Sequence, residues 1–231
     1  MNTGVIVLLA ASTVGVALGA PRQKSTEYTR IFPLAACTFS ATGRTPHLVL
    51  EPGHVLALDD GKGVHLTITV LNETEVVGGV ATRVVEERQT ERGELVEVSR
   101  NYFAICAQNQ SAFYFGEAVD NYKNGKVINH AGSWRHGTDG ATAGLMMPSL
   151  PLTGARYYQE VAPTVAMDRA EITATDARLR TPFGALEHVV ETRESSPLEP
   201  GVSEVKAYAP GIGIVRDAEM LLVSVTQATK R

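Results

Sequence analysis

Two histidines and the chain's only tryptophan form a compact cluster that could bind a metal. If residues 126–136 form a strand, His130, Trp134 and His136 share one face, because side chains at even spacing point the same way. Imidazole nitrogens bind first-row transition metals, and the thioethers of Met146 and Met147 are soft ligands that suit Cu(I). The cluster is therefore a candidate metal site: the first expectation is no cofactor, and Cu(I) is the alternative.

The spacing of the cluster limits which of these residues could bind one ion together. On a straight strand, Trp134 and His136 would be about 6.6 Å apart, and His130 would be about 20 Å from His136. One ion can take both histidines only if the chain bends at Gly132 or if His136 already lies in a turn. The alternative is that Trp134 anchors the core, His136 is exposed and the methionines only pack.

The same region also suits an apolar binding site. A rolled antiparallel sheet leaves a mouth or concave face, and sites for small molecules are mostly apolar with a few polar groups. The candidate lining on the hairpin and the following loop consists of Phe113, Phe115, Tyr122, Trp134 and Met146.

Common catalytic motifs are absent from the sequence. It contains no Gly-x-Ser-x-Gly, no His-Glu-x-x-His, no Walker loop and no Cys-x-x-Cys. Glu191, Glu194 and Glu199 lie near one loop, and paired carboxylates can hydrolyse glycosides, although acids in such places are ordinarily solvated surface. The sequence assigns no catalytic residue, and a hydrolase with an unrecognised site remains a third alternative.

The elements that position these residues are predicted to be β-strands. Residues 64–70 alternate apolar and polar side chains, as on a half-buried strand. Asn124-Gly125 is a strong hairpin signal because a type I′ turn needs positive φ at both centres, so residues 113–122 should pair with residues 126–134. Frequent turns and the lack of an amphipathic helix pattern predict an all-β antiparallel meander, forming a rolled sheet, barrel or sandwich.

The N-terminus is typical of an exported protein. Residues 5–19 are apolar or small and uncharged, so residues 1–20 are predicted to be a signal peptide, with a retained N-terminal anchor as the alternative. Residues 21–45 are predicted to be a flexible segment and residues 46–231 a single β-rich domain. We therefore expect a periplasmic or extracellular protein whose mature chain has no transmembrane span.

The two cysteines leave three possibilities open. In an oxidising compartment, Cys37 and Cys106 would form a disulfide, and otherwise they would be buried thiols. Residues 34–37, LAAC, also look like the lipobox of bacterial lipoproteins, in which the cysteine carries a lipid anchor. Against the lipid anchor, charged residues interrupt the apolar run that precedes this block.

Several blocks resemble a group of uncharacterised secreted or envelope-associated bacterial proteins. The blocks are YFGE at 114–117, NGK at 124–126, GSWR at 132–135, AMDRAEI at 166–172, PLEPG at 197–201 and YAPGIG at 208–213. The resemblance covers about three quarters of the chain as a family signature. It implies a bacterial source and export, but it assigns no function. Separately, the Trp-x-His pair is similar to the copper site of the copper-repressible surface proteins of methanotrophs.

The predicted function is binding rather than catalysis. A net charge of −4 and scattered basic residues give no electrostatic basis for nucleic-acid binding. The first hypothesis is an exported, non-enzymatic β-domain that binds a small apolar molecule or a cell-envelope component. The alternative is a copper-binding protein that uses Trp134 and His136, with His130 or a remote histidine. The sequence does not determine the oligomeric state.

Overall fold

The computed structural model describes residues 27–227, so the predicted signal peptide at residues 1–20 lies outside the described residues. These residues form an antiparallel sheet that is nearly closed and barrel-shaped, which confirms the predicted all-β antiparallel fold. A short 3-10 helix spans Leu34–Ala36. The strands are β1 Phe39–Ser40, β2 Val55–Asp59, β3 Val64–Val77, β4 Val80–Glu91, β5 Glu94–Cys106, β6 Ala112–Lys123, β7 Lys126–Asn129, β8 Trp134–Arg135, β9 Thr142–Met147, β10 Arg156–Tyr158, β11 Glu160–Val161, β12 Arg169–Thr181, β13 Gly184–Ser195, β14 Glu204–Ala209, β15 Gly213–Asp217 and β16 Met220–Thr226.

The sheet consists of two meanders side by side. Strands β2 to β6 pair in chain order, strands β12 to β16 pair in chain order, and β16 pairs with β2 to join the two halves. Alternation produces these strands: on β3, Leu66, Ile68 and Val70 are buried, whereas His65 and Thr67 are exposed. Because successive side chains point to opposite faces, one apolar set lines the interior of the barrel.

The predicted hairpin is present, but its second strand is interrupted. Asn124 and Gly125 have φ of 52° and 71°, as a type I′ turn requires, and β6 pairs with β7 across them. Strand β7 ends at Asn129, and pairing with β6 resumes only at β8, where Trp134 lies opposite Glu117. The predicted continuous strand from residue 126 to about residue 136 is therefore two short strands.

A short segment joins the two edges of the sheet. Strand β10 pairs with β12 at one edge, and β11 pairs with β9 at the other, with only Gln159 between β10 and β11. Gly144 on β9 lies directly against this segment: a Cβ built on it would be 2.4 Å from the Gln159 carbonyl oxygen and 2.5 Å from that of Tyr158. The sheet closes here because β9 has no side chain at this point.

The segment before residue 46, which was predicted to be flexible, packs on the outer face of the sheet from residue 27 onward. Phe39 packs edge-to-face on Phe113 and Phe115, and Phe32 packs on Phe113. Cys37 forms a disulfide with Cys106, so it does not carry a free thiol in this structure. The aromatic side chains and the disulfide attach this segment to β5 and β6.

Within residues 27–227 there is no helix with the length and apolar character needed to cross a membrane.

Gly144→Ala should destabilise the protein because its methyl group would overlap the closing segment. Overpacking a tightly packed site typically costs roughly 1–3 kcal/mol. Gly140→Ala is the matched control, since a Cβ there meets nothing within 4 Å and tests only the left-handed backbone at φ +77°. Urea unfolding should show the larger loss for Gly144→Ala, and equal losses would contradict a close approach at β9.

Reducing the disulfide should also lower the free energy of unfolding. The disulfide joins residues separated by 69 positions, and a loop of that length corresponds to about 4 kcal/mol in the chain-entropy model. Urea unfolding of the oxidised protein and of the Cys37→Ala/Cys106→Ala double variant measures the difference. Two alkylatable thiols in exported material would show that the disulfide does not form.

Candidate functional site

The predicted apolar lining is divided between the two faces of the sheet. Phe113 and Phe115 are buried on the outer face, under the N-terminal segment. Trp134 and Met146 belong to the interior, and Met146 lies on β9 rather than in a loop. Tyr122 is half-buried near the hairpin turn, opposite Val127. Of the five predicted residues, only Trp134 and Met146 share a cavity.

The three predicted metal ligands do not share a face. Trp134 packs edge-to-face on Tyr114 in the interior, with ring centroids 5.1 Å apart. His136 packs on Phe115 at the outer face, and its Nδ1 accepts a hydrogen bond from the Ala143 amide. The expectation of a common face was wrong because β8 ends at Arg135, so even spacing no longer determines where His136 points.

His130 is engaged separately from the other two residues. It is exposed, and its Nδ1 lies 3.0 Å from the Val119 carbonyl and 2.8 Å from the Asp120 carboxylate. Burial lowers the pKa of His136, which favours its neutral imidazole. In residues 27–227 no group of three or more His, Cys, Asp or Glu side chains is arranged to hold a metal ion.

The barrel interior contains instead a polar cavity of about 160 Å³, which we call the acidic cavity. Acidic and amide side chains supply most of its polar wall, and aromatic and thioether side chains supply the rest. The lining residues are Glu87, Asn101, Phe103, Tyr114, Glu117, Trp134, Met146, Gln159, Glu160, Ala166, Asp168, Glu194 and Lys206.

Three further cavities adjoin the acidic cavity, and one of them, of about 140 Å³, shares Asp168 and Glu194 with it. An apolar pocket of about 80 Å³, lined by side chains such as Leu56, Ile68 and Val85, shares Glu87, Phe103, Met146 and Lys206 with it. An outer pocket of about 270 Å³ shares Glu117 and Trp134 with it. The acidic cavity thus lies between an apolar interior and a more open pocket.

The charged residues face the interior because they lie at the same two-residue spacing as the apolar core residues of their strands. On β4, Glu87 follows Val85 at the spacing of two that keeps both on the inner face, and on β14 Lys206 precedes Tyr208 in the same way. Glu194 on β13 is buried, and so is Glu160 on β11. These charged residues therefore occupy positions that apolar residues occupy elsewhere in the barrel.

Glu194 and Lys206 form the best-paired part of the cavity wall. One oxygen of Glu194 accepts hydrogen bonds from Gln159 at 3.1 Å, Thr192 at 3.0 Å and Tyr208 at 3.3 Å. The Lys206 ammonium lies 3.5 Å from Glu194, 3.5 Å from Glu204 and 3.4 Å from Asp217. Three carboxylates surround this one cation.

The charge of Lys206 excludes it as a nucleophile. Burial by itself lowers the pKa of the ammonium, but the negative charges of Asp217 and Glu194 outweigh it and raise the pKa well above its usual range. A permanently protonated lysine has no lone pair with which to attack a substrate. Lys206 therefore acts as a fixed positive charge in the wall.

Burial raises the pKa of four carboxyl groups of the acidic cavity, which are Glu87, Glu117, Glu160 and Asp168. Burial raises the pKa of Glu87 to about 8. Burial, followed by the charge of Glu97, raises the pKa of Glu117 to about 7, although hydrogen bonds with Ser99 and Tyr114 lower it. Burial and the charge of Asp168 raise the pKa of Glu160 well above its usual range. Part of this wall is therefore neutral near pH 7.

Two polar atoms in the cavity wall are buried without a hydrogen-bond partner among residues 27–227. They are Oε1 of Gln159 and the indole Nε1 of Trp134. Because the amide nitrogen of Gln159 donates to Glu194, the amide oxygen of Gln159 must point away from Glu194. Buried polar atoms are almost always paired, so this acceptor and this donor require partners within the cavity, which a water or a ligand can supply.

Sequence reasoning missed most of this site. Glu194 was noted near a loop but was expected to be solvated, and Glu87, Glu117, Glu160 and Lys206 were not singled out. The sequence contained one usable signal. An acid that lies an even number of positions from an inward-facing apolar residue on the same strand should also face inward. That inference needs the correct register and the knowledge that the sheet closes, and neither is visible in a single strand.

Comparison with known proteins gives no relative from which a role could be transferred. No family model, no curated protein and no solved structure matches the chain.

Glu87→Gln should change the pH dependence of stability. A carboxyl whose pKa rises on folding keeps its proton longer in the folded state, so stability falls as pH rises from the unfolded pKa near 4.5 to the folded pKa of about 8. Glu117→Gln should act similarly up to a pKa of about 7. Each variant should therefore gain stability relative to the wild type across this range.

Urea unfolding at intervals between about pH 5 and pH 8 measures this difference. Glu73→Gln, at an exposed position on β3, is the matched control and should follow the wild-type profile. A Glu87→Gln profile parallel to that of the wild type would show that Glu87 is not buried in the folded protein.

Proposed function

We propose that this protein is an exported, non-enzymatic binding protein that holds a small amphiphilic organic molecule inside its barrel. The observation that carries the proposal is the junction of the acidic cavity with the apolar pocket, where Phe103 and Met146 belong to both walls. Sites for small molecules combine an apolar wall with a few convergent polar groups in this way.

The size of the cavity supports a ligand of about one ring. An engineered cavity of roughly 150 Å³ in another protein accepts benzene, so the 160 Å³ of the acidic cavity suits a molecule of similar bulk. The apolar pocket adds space for a short side chain. The unpaired atoms of Gln159 and Trp134 would complete their hydrogen bonds with polar groups of such a ligand.

Export is part of this proposal and has support of its own. Disulfides form and persist in oxidising compartments, and the structure joins Cys37 to Cys106. A lipid anchor on Cys37 remains the alternative, since the same sulfur cannot carry both a lipid and a disulfide. The copper and hydrolase alternatives stay predictions, and no contact among residues 27–227 favours either.

Filling the cavity should abolish binding without unfolding the protein. Ala166 lines the acidic cavity, so Ala166→Leu should occupy it and weaken binding of benzyl alcohol by at least about tenfold. Ala81→Leu, the same change at an exposed position on β4, is the control and should bind as the wild type does. The emission of Trp134, the only tryptophan, reports binding directly because its side chain lines the cavity.

Phe115→Leu provides a second comparison, because Phe115 is buried on the outer face. It should lower thermal stability while leaving the affinity for benzyl alcohol unchanged. Equal binding by wild type and Ala166→Leu, or loss of binding in Phe115→Leu alone, would contradict a ligand site in the interior.

A further inference from the structure

The acidic cavity contains carboxyl groups that have no basic partner among residues 27–227 when they ionise. Glu87, Glu117 and Glu160 form no salt bridge within residues 27–227. The one basic side chain in the wall, Lys206, is already matched by the carboxylates of Glu194, Glu204 and Asp217. Glu160 is 2% exposed, and Glu87 and Glu117 are half-buried. A desolvated carboxyl without a cation is costly to ionise, so these three positions favour positive charge from outside the chain.

A second, independent observation concerns hydrogen bonds rather than charge. Oε1 of Gln159 is a buried acceptor without a partner in the described residues, and Gln159 itself is only 4% exposed. Its neighbours Glu160 and Glu194 are also acceptors when ionised. This part of the wall therefore offers acceptors and requires a donor.

Aromatic rings complete the same wall. Trp134 and Tyr114 line the cavity and pack edge-to-face on each other. The face of an indole or phenol ring attracts a cation within about 6 Å of its centre, and the attraction is stronger where water is excluded. Charge, acceptors and rings thus favour a cationic group, whereas the unpaired indole Nε1 of Trp134 needs an acceptor that an ammonium does not supply.

We propose that the ligand of the acidic cavity is a small protonated amine, an inference that rests on the binding function proposed above. Its ammonium group donates to Gln159 Oε1 and to the carboxylates of Glu117 and Glu160. Its apolar part lies along Phe103 and Met146 toward the apolar pocket. An ammonium has three donors in different directions, which suits acceptors from the adjacent residues Gln159 and Glu160 and from Glu117 on β6.

An organic cation suits this wall better than a metal ion does. The carboxyl groups that line the cavity come from different strands, and within residues 27–227 they form no group of three or more that is arranged for a metal. Calcium needs six to eight oxygen ligands at short range, whereas an ammonium is satisfied by a few hydrogen bonds and an aromatic face.

Binding of an amine should release protons. Its positive charge stabilises the ionised carboxylates, so the pKa of Glu87 and of Glu117, about 8 and about 7 in the free protein, would fall in the complex. The affinity should therefore rise with pH until these groups are ionised without the ligand.

The other titratable groups that face these carboxyls are Glu97 on β5, Tyr114 on β6, Asp168 before β12, Glu194 on β13, Lys206 on β14 and Asp217 on β15.

Benzylamine and benzyl alcohol form a matched pair of probes, because they differ mainly in the charged group. Calorimetric titration of the exported chain at about pH 6 and pH 8, in two buffers of different ionisation enthalpy, gives affinities and the protons released. Benzylamine should bind at least about tenfold more tightly than benzyl alcohol at the higher pH, with proton release. This preference should shrink at the lower pH.

Two variants test which carboxyls recognise the amine. Glu160→Gln and Glu117→Gln keep the shape of the side chain, and each should weaken benzylamine binding about tenfold more than it weakens benzyl alcohol binding. Glu73→Gln, exposed on β3, should change neither affinity. Thermal melts confirm that each variant is folded before its affinities are compared.

The outcomes separate this inference from the proposed function. Benzyl alcohol binding as tightly as benzylamine, or benzylamine binding without proton release, would overturn the amine inference and leave an amphiphile site in place. Tighter binding of Ca²⁺ than of benzylamine in the same titration would overturn the choice of an organic cation. If the wild type bound neither compound, the proposed function would fail together with the inference.

Discussion

The structure depends above all on closure of the sheet at the segment around Gln159. Strands β10 and β11 belong to opposite edges, and Gly144 lets β9 approach the backbone that joins them. Without closure, the inner face would be open to water and its carboxyl groups would titrate as surface acids do. Because the sheet closes, the same residues lie in a space with little water, which raises the pKa of Glu87, Glu117 and Glu160.

The carboxyl groups at these interior positions make the fold less stable than apolar side chains would. A carboxyl that must stay protonated, or be ionised without a partner, contributes less to the fold than an apolar side chain of similar size. The rest of the barrel shows that the sequence can fill such positions with apolar residues, as Val85 and Tyr208 do two residues from Glu87 and Lys206. Local departures from good packing commonly mark functional sites, and here several of them line one cavity.

The sequence predicted the architecture better than the site. Alternation on β3 and the Asn124-Gly125 turn depend on neighbouring residues, so strands and the hairpin could be inferred. The direction of a single side chain depends on where each strand ends and on bulges, which is why Trp134 and His136 were wrongly assigned to one face. The acids were missed because charge ordinarily indicates exposure, and only a closed sheet reverses that rule.

The distribution of charge makes the two parts of the cavity wall different from each other. Lys206 and the three carboxylates around it form a matched group, whereas Glu117 and Glu160 lie in the unmatched part of the wall. Glu117 and Trp134 also line the outer pocket, so a molecule that enters through that pocket meets the unmatched carboxylate and the indole first. The apolar pocket lies beyond Phe103 and Met146, where it can receive an apolar group. In the complex proposed here, the cationic end of the ligand would lie toward the outer pocket and its apolar part toward the apolar pocket.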